Sequence, residues 1–437
     1  MLQIRSNKIR WAISAALAAL ILLGTYRSVF SLAAFLVCCF MVVFCDREST
    51  LLQMFFIMPM ANIFRISPTT QSFLTILLLA YVVLHLVLPR KATLLVVLFA
   101  AYVVIGELVG GEFNLFRTIK LICNVLFLSS ILNSEVKIRH KEIFLSYIIG
   151  NIVASFFKLA DSSIFKISSY INSESIGNIN SDNFAIRFSG LYSDPNYYAV
   201  GLIISLCLLI VLYHRKEIQF YFAAVLAAPI VYFLIITYSK SAALMLVVTA
   251  LFLVYSFVRR RNYVAAVFIA VSSVVVVVLA FSGKIPFLQT VVDRFMASDS
   301  ADGMDVSSLT TGRFDLWVTY IKYLIQNIAV GIFGGSITAE LIAHHGSHNT
   351  YIEVIYYLGI AGGSLLLLTL RFILSQSVIV KHKKSFLNYS VILCICIMYF
   401  FLGELFYFDP PFQIMLAFMV LNLPLYENGE SETKKII

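Results

Sequence analysis

The chain has 437 residues, of which 60% are hydrophobic and only 13% are charged, and its formal net charge is +9. A water-soluble domain of this size cannot bury so much apolar surface, because its interior is too small relative to its surface. The composition therefore excludes a soluble protein and indicates a polytopic membrane protein.

Apolar segments of membrane-spanning length recur along the chain. A helix needs about 20 apolar residues to cross the ~30 Å hydrocarbon core, where only helices and closed barrels satisfy their backbone hydrogen bonds. The apolar runs are continuous rather than alternating, which favours an all-α transmembrane helix bundle. We predict fourteen spans, or twelve if a pair is re-entrant, at 11–25, 29–45, 51–65, 70–88, 92–108, 115–132, 142–160, 196–213, 218–237, 242–258, 263–281, 350–371, 387–403 and 410–425.

Short basic hinges separate alternate spans. Lysine and arginine are enriched in cytoplasmic loops, so these hinges predict an orientation with both termini cytoplasmic. Short basic hinges between spans also argue against a nucleic-acid-binding surface, and we expect no nucleic acid as a partner. The hinges are Arg90-Lys91, 137–141, Arg215-Lys216, Arg259-Arg260-Arg261 and 381–384.

This orientation places two long loops on the extracytoplasmic side. In the second loop, apolar residues at near-helical spacing predict an amphipathic helix at the membrane interface over 313–326. The predicted regions are N-terminal transmembrane helices (1–160), a first extracytoplasmic loop (161–195), central transmembrane helices (196–281), a large extracytoplasmic loop (282–349), C-terminal transmembrane helices (350–426) and a cytoplasmic tail (427–437).

The cations on the side that the orientation bias leaves poor in positive charge include Arg187, Lys240 and Arg313. Arginine suits bidentate binding of phosphate oxygens, whether of a substrate or of a lipid headgroup. A lysine that reaches the headgroups is the alternative interpretation of Lys240. Between the first two cations, Asp194-Pro195 predicts a helix start, with Asp194 as the cap.

His348 precedes Asn349 at the entrance of the span predicted over 350–371. A histidine with a near-neutral pKa can take a proton from a sugar hydroxyl. His344 and His348 are four residues apart, but Gly346 lies between them and the metalloprotease pattern is absent, so we predict no metal site. Neither a nucleotide-binding loop nor an Asp-x-Asp metal pair occurs. These features favour extracytoplasmic transfer from a lipid diphosphate over use of a cytoplasmic nucleotide sugar.

Four motifs, in order, resemble the O-antigen polymerase/ligase family of bacterial envelope glycosyltransferases. They cover roughly residues 185–370, and topology alone covers the remainder. The motifs are Arg187-Phe188-Ser189-Gly190 with Asp194-Pro195-Asn196; Thr237-Tyr238-Ser239-Lys240-Ser241-Ala242; Thr311-Gly312-Arg313 with Trp317; and Ser347-His348-Asn349 with Gly359 and Gly362.

The resemblance implies a GT-C-like integral-membrane enzyme of the bacterial inner membrane with an extracytoplasmic active site. It implies metal-independent, inverting transfer of an undecaprenyl-diphosphate-linked glycan, with no cofactor. Arg187 and Arg313 would hold the diphosphate and His348 would activate or orient the acceptor hydroxyl, so these three are the predicted catalytic residues. Lys240 departs from the arginine common in the family and cannot form the bidentate fork. The predicted substrate-binding residues are Lys240, Asp194, Asn196, Asn349 and Trp317.

The motifs do not separate a repeat-unit polymerase, which we favour, from a ligase. The polymerase's acceptor is a lipid-linked repeat, whereas the ligase's acceptor is lipid A-core. Membrane lipids, a chain-length regulator and a flippase are further expected partners. A transporter of lipid-linked glycan or of an anionic solute is the alternative from another class. It predicts polar residues deep within spans and an internal repeat, and the sequence shows few of the former and none of the latter.

Overall fold

A computed structural model describes residues 6–88, 90–109, 115–132, 139–171, 187–259, 261–282, 313–335, 347–375, 389–403 and 409–421. The regular elements of these residues are helices, and the longer ones pack into one bundle. They are α1 (Asn7–Gly24), α2 (Ser28–Phe44), α3 (Arg47–Ile57), α4 (Phe73–His85), α5 (Arg90–Val109), α6 (Leu115–Leu132), α7 (His140–Leu159), α8 (Ile167–Tyr170), α9 (Pro195–His214), α10 (Phe220–Ile235), α11 (Lys240–Arg259), α12 (Tyr263–Phe281), α13 (Arg313–Gln326), α14 (Ile328–Phe333), α15 (Thr350–Ser375), α16 (Tyr389–Phe401) and α17 (Asp409–Leu421).

The prediction of an all-α membrane protein is confirmed. Among the described residues, seven helices, α1, α5, α6, α7, α9, α11 and α15, are long and apolar enough to cross a membrane. Five shorter apolar helices in the same part of the chain, α2, α4, α10, α16 and α17, have 10–17 residues. Many large apolar side chains on the outside of the bundle are exposed, as expected of a surface that faces lipid.

The third predicted span differs from the structure. The prediction placed it at 51–65, but α3 ends at Ile57 and a 3₁₀ turn follows over Met58–Met60. Pro59 lies inside that turn, and proline lacks the N–H that would continue an α-helix. Residues 61–72 then form turns, and Ser72 caps α4 by accepting a hydrogen bond from the backbone N–H of Leu74.

Helix α9 lies at the centre of the bundle. It contacts α7, α10, α11, α16 and α17, and 83% of its residues in the membrane-spanning window are buried. Its apolar residues extend around the whole circumference, as expected of a helix surrounded by protein. The residues at its N-terminus are therefore also surrounded by other helices.

Two of the basic hinges, those at Arg139-His140 and at Arg215, meet at one end of the bundle. Glu48 bonds Arg10 at 3.2 Å and Arg139 at 3.3 Å, and Glu217 bonds His140 at 2.9 Å and Arg215 at 2.8 Å. Helix α9 ends beside Arg215, so its N-terminus lies at the opposite end. The hinge over 381–384 and the tail over 427–437 lie outside the described residues.

Helix α13 has the bounds predicted for the amphipathic helix, and α14 after it was not predicted. Both pack on α15, whose backbone turns at Gly359 with φ of +65°. A Cβ on Gly359 would collide with the Ile332 carbonyl oxygen and the Gly334 nitrogen of the α14 segment. The motif glycine at position 359 therefore permits backbone-to-backbone packing.

Candidate active site

Arg187 lies at the N-terminus of α9. Its Nη2 donates to Asn196 Oδ1 at 3.1 Å, and its Nε donates to the Thr237 carbonyl at 3.0 Å. Asp194 caps α9, as predicted, by accepting a hydrogen bond from the Asn196 N–H at 2.6 Å. The side chains of Asp194 and Asn196 thus have defined structural partners, and substrate binding by either stays a prediction.

The second motif connects the start of α11 to the start of α9. The Ser239 hydroxyl donates to Asn196 Oδ1 at 2.6 Å, so Asn196 accepts hydrogen bonds from both Arg187 and Ser239. Lys240 is the first residue of α11 and is half-buried. Tyr238, two residues before it, has a left-handed backbone with φ of +49°.

Arg313 begins α13, and its side chain lies near the first residues of α9. Its Nη1 donates to the Phe401 carbonyl at 2.7 Å. Burial lowers the pKa of its guanidinium, and the opposing effects of Asp194 and Tyr197 place these two side chains within electrostatic range of it. Arg187 and Arg313 therefore both lie near the residues that begin α9.

The fourth motif forms the start of α15. Asn349 caps this helix because its Oδ1 accepts from the backbone N–H groups of Tyr351 at 3.0 Å and Ile352 at 3.1 Å. Trp317 of α13 donates from Nε1 to the Ser347 carbonyl at 3.0 Å, which fixes the approach of the chain to the cap. His348 lies between them, half-buried, with φ of +47°.

Residues 401–403, at the end of α16, hold these elements together. Three consecutive carbonyls, those of Phe401, Leu402 and Gly403, each accept a hydrogen bond from a different helix. The donors are Arg313 of α13, the Thr350 hydroxyl of α15 at 2.6 Å and the Tyr197 hydroxyl of α9 at 2.5 Å. The last carbonyls of a helix lack intrahelical partners, so they are available to such donors.

The N-termini of α9, α11, α13 and α15 consequently converge on one region, which we call the four-helix junction. Each N-terminus carries the positive end of a helix dipole. Two arginines and a lysine lie at the same junction. The predicted residues Arg187, Asp194, Asn196, Lys240, Arg313, Trp317, His348 and Asn349 all belong to it.

Sequence reasoning missed several residues of the junction. Tyr197, Glu353 and the segment 401–403 were not singled out, although each contacts a predicted site residue or a neighbour of one. Thr311, Gly312 and the residues His344, His345 and Gly346 lie outside the described residues.

An apolar cavity of about 450 Å³ begins beside the junction. It lies between α6, α15, α16 and α17, and Thr350 and Tyr351 form part of its lining. Ile360 and Leu367, further along α15, also line it and are exposed on the bundle surface. The cavity thus connects the start of α15 with the lipid-facing side of the protein.

No protein-family model, curated protein or solved structure matches this chain. The resemblance to the O-antigen polymerase/ligase family therefore depends on the four motifs and on their convergence.

Proposed function

We propose that the protein is a bacterial inner-membrane polymerase of undecaprenyl-diphosphate-linked oligosaccharide repeats, such as those of O-antigen, capsule or exopolysaccharide. The observation that carries the proposal is the four-helix junction, where four helix N-termini and the side chains of Arg187 and Arg313 surround one region. Helix N-termini and guanidinium groups both favour phosphate oxygens. A diphosphate with its several negative charges suits such a region.

The apolar cavity supports a substrate that combines a diphosphate with a hydrocarbon chain. It begins at Thr350, two residues after His348, and extends to exposed residues of α15. A prenyl chain could lie in this cavity while its diphosphate occupies the junction. A water-soluble anionic substrate would have no use for an apolar cavity in this position.

The distribution of charge supports an extracytoplasmic active site. Arg10, Arg139 and Arg215 belong to the basic end of the bundle, and the junction lies at the other end. Positively charged hinges are typical of the cytoplasmic side. On the opposite side a lipid-linked repeat is available as both donor and acceptor, and no nucleotide sugar is needed.

In the proposed reaction the acceptor hydroxyl oxygen attacks the anomeric carbon of the donor sugar. The bond from that carbon to the diphosphate oxygen breaks, and its electron pair stays on the diphosphate. His348 accepts the hydroxyl proton, while Arg187 and Arg313 stabilise the charge that develops on the leaving group. Attack opposite to the leaving group inverts the configuration, and this chain's residues supply each step without a metal.

Purified protein in vesicles with lipid-linked repeats tests the proposal directly. We expect a ladder of longer lipid-linked glycans to form in excess EDTA. Loss of the ladder in EDTA and its return with a divalent ion would contradict metal independence.

A deletion strain separates the three candidate functions. Loss of a polymerase leaves single repeats on lipid A-core, whereas loss of a ligase leaves long lipid-linked chains. The transporter would be favoured if the deletion strain showed neither product pattern and the purified protein formed no ladder in the vesicle assay.

A further inference from the structure

A carboxylate outside the predicted motifs lies at the four-helix junction. Glu353 is in the first turn of α15, where its backbone N–H donates to the Asn349 carbonyl at 2.9 Å. A Cβ on Gly403 would lie 3.0 Å from Glu353 Oε2 and 3.5 Å from its Cδ. The carboxyl group therefore packs on Gly403, whose carbonyl accepts the Tyr197 hydroxyl.

Glu353 and His348 occupy two positions of a helix start whose side chains commonly meet. Asn349 is the cap of α15, so His348 is the residue before the cap and Glu353 is the fourth helical residue. In many helices the residues at these positions are apolar and pack together as a hydrophobic staple. Here they are an imidazole and a carboxylate, which can form a hydrogen bond instead.

The groups near Glu353 include two tyrosines, one of which also faces an arginine and a second carboxylate. Tyr320 of α13 and Tyr357 of α15 lie within electrostatic range of it. Burial, with the nearby Tyr357 and Glu353, raises the pKa of Tyr320 to about 12, so that phenol is protonated at neutral pH. Arg117 of α6 lies over the Tyr357 ring at 5.1 Å, and Glu107 of α5 faces the same tyrosine.

We propose that Glu353 is a positioning residue that orients the His348 imidazole and stabilises its protonated form. This inference rests on the proposed function. One ring nitrogen of His348 accepts the proton of the acceptor hydroxyl as the new glycosidic bond forms and the diphosphate leaves. The other ring nitrogen keeps its hydrogen and forms a hydrogen bond to the Glu353 carboxylate. Glu353 stays ionised, as in other base–carboxylate pairs.

Turnover of reconstituted full-length protein with lipid-linked repeats tests this role. We expect Glu353→Gln to lower turnover by about 10- to 1000-fold with little change in KM, because glutamine removes the charge that stabilises the imidazolium. Glu353→Asp should retain more activity. The acid limb of the kcat/KM–pH profile should move to lower pH in Glu353→Gln, since a histidine without its counter-charge loses its proton at lower pH.

A double variant distinguishes action through His348 from an independent role. Glu353→Gln should cause no further loss of turnover in a His348→Ala background, because the effects of two residues that act as a unit are not additive. Glu142→Gln is the matched control, since Glu142 lies in the first turn of α7 at the basic end of the bundle. That control should leave turnover unchanged.

The outcomes separate this inference from the proposed function. Additive losses in the double variant would overturn the positioning role. So would wild-type turnover of Glu353→Gln, whether or not its thermal stability falls, in an assay where His348→Ala is impaired. Wild-type protein that lengthens no lipid-linked repeat would overturn the proposed function, and this inference with it.

Discussion

His348 has a backbone conformation that non-glycine residues seldom adopt. Its φ of +47° lies in the left-handed region, directly before the cap of α15. A non-glycine residue held in such a region costs on the order of 1–3 kcal/mol and persists only where the surrounding structure enforces it. Here Trp317 holds the Ser347 carbonyl on one side and Asn349 begins the helix on the other. The position is therefore defined by the junction rather than by local preference.

Replacing His348 tests its role as the base. We expect His348→Ala to lower turnover by about 10²–10⁴-fold while donor binding is largely kept. His348→Gln separates base from orienting group, because glutamine can hydrogen-bond but accepts no proton at neutral pH. Near-normal turnover of the glutamine variant in the reconstituted assay would exclude general-base catalysis. His344→Ala and His345→Ala should be milder, since neither residue directly precedes Asn349.

The planar guanidinium groups of the two arginines present a fork of donors that lysine lacks. Arg187 uses Nε and Nη2 for two different acceptors, and Arg313 reaches the Phe401 carbonyl from Nη1. We expect Arg187→Lys and Arg313→Lys each to lower turnover by at least about tenfold, because the charge remains but the planar fork is lost. Arg215→Lys is the control at the basic end, where Arg215 bonds Glu217. Full activity of both site variants at normal protein levels would rule out diphosphate binding through the fork.

The packing of α14 on α15 depends on two glycines with positive φ. Gly334 has φ of +82° and Gly359 has φ of +65°, and a Cβ on either would meet the backbone of the other segment. Tyr102 of α5 ties the two segments together, since its hydroxyl lies 2.7 Å from the Phe333 carbonyl and 2.8 Å from the Leu358 carbonyl, and its one hydrogen is shared between them. The contacts of α5 and α14 with the middle of α15 thus help to position the start of α15 and with it His348.

Gly359→Ala should destabilise this packing. A left-handed backbone and a backbone collision both oppose the added methyl group, so we expect a loss of several kcal/mol and a lower unfolding temperature. Gly106→Ala in α5 is the matched control, because a Cβ there has nothing within 4 Å. That change should leave the unfolding temperature equal or higher, since alanine is the better helix former. Equal unfolding temperatures for wild type and Gly359→Ala would contradict the packing described for α15.

Local patterns predicted the helices well and the junction only in part. The amphipathic spacing predicted α13 over 313–326, which are its observed bounds. The Asp194-Pro195 step predicted the observed cap of α9. The third span is shorter than predicted because the α-helix ends before Pro59, which lies in a 3₁₀ turn. The role of 401–403 carried no sequence signal, because backbone carbonyls belong to every residue and Phe401-Leu402 reads as the end of an apolar span. Contacts between distant segments depend on packing, which local periodicity does not encode.

Across the whole bundle, cationic side chains gather at both ends, but their partners differ. Ion pairs of Glu48 and Glu217 with arginine and histidine hold two of the basic hinges and Arg10 together at one end. At the other end, cations cluster where four helices begin. The first end suits the cytoplasmic face and the second suits an anionic headgroup, so the proposed active site and the predicted orientation both depend on where these cations lie.

Cysteine labelling in intact cells tests this orientation. The seven native cysteines are first replaced, and single cysteines are introduced at Ser163 in the predicted outer loop and at Gln219 in the hinge before α10, both of which are exposed. A membrane-impermeant thiol reagent should label Ser163→Cys in intact cells, or in spheroplasts if an outer membrane blocks access. It should label Gln219→Cys only after lysis, because the basic hinges are expected inside. Cysteine at position 300 should behave like Ser163→Cys. The reverse pattern would place the four-helix junction in the cytoplasm, where a lipid-linked repeat would not be its substrate.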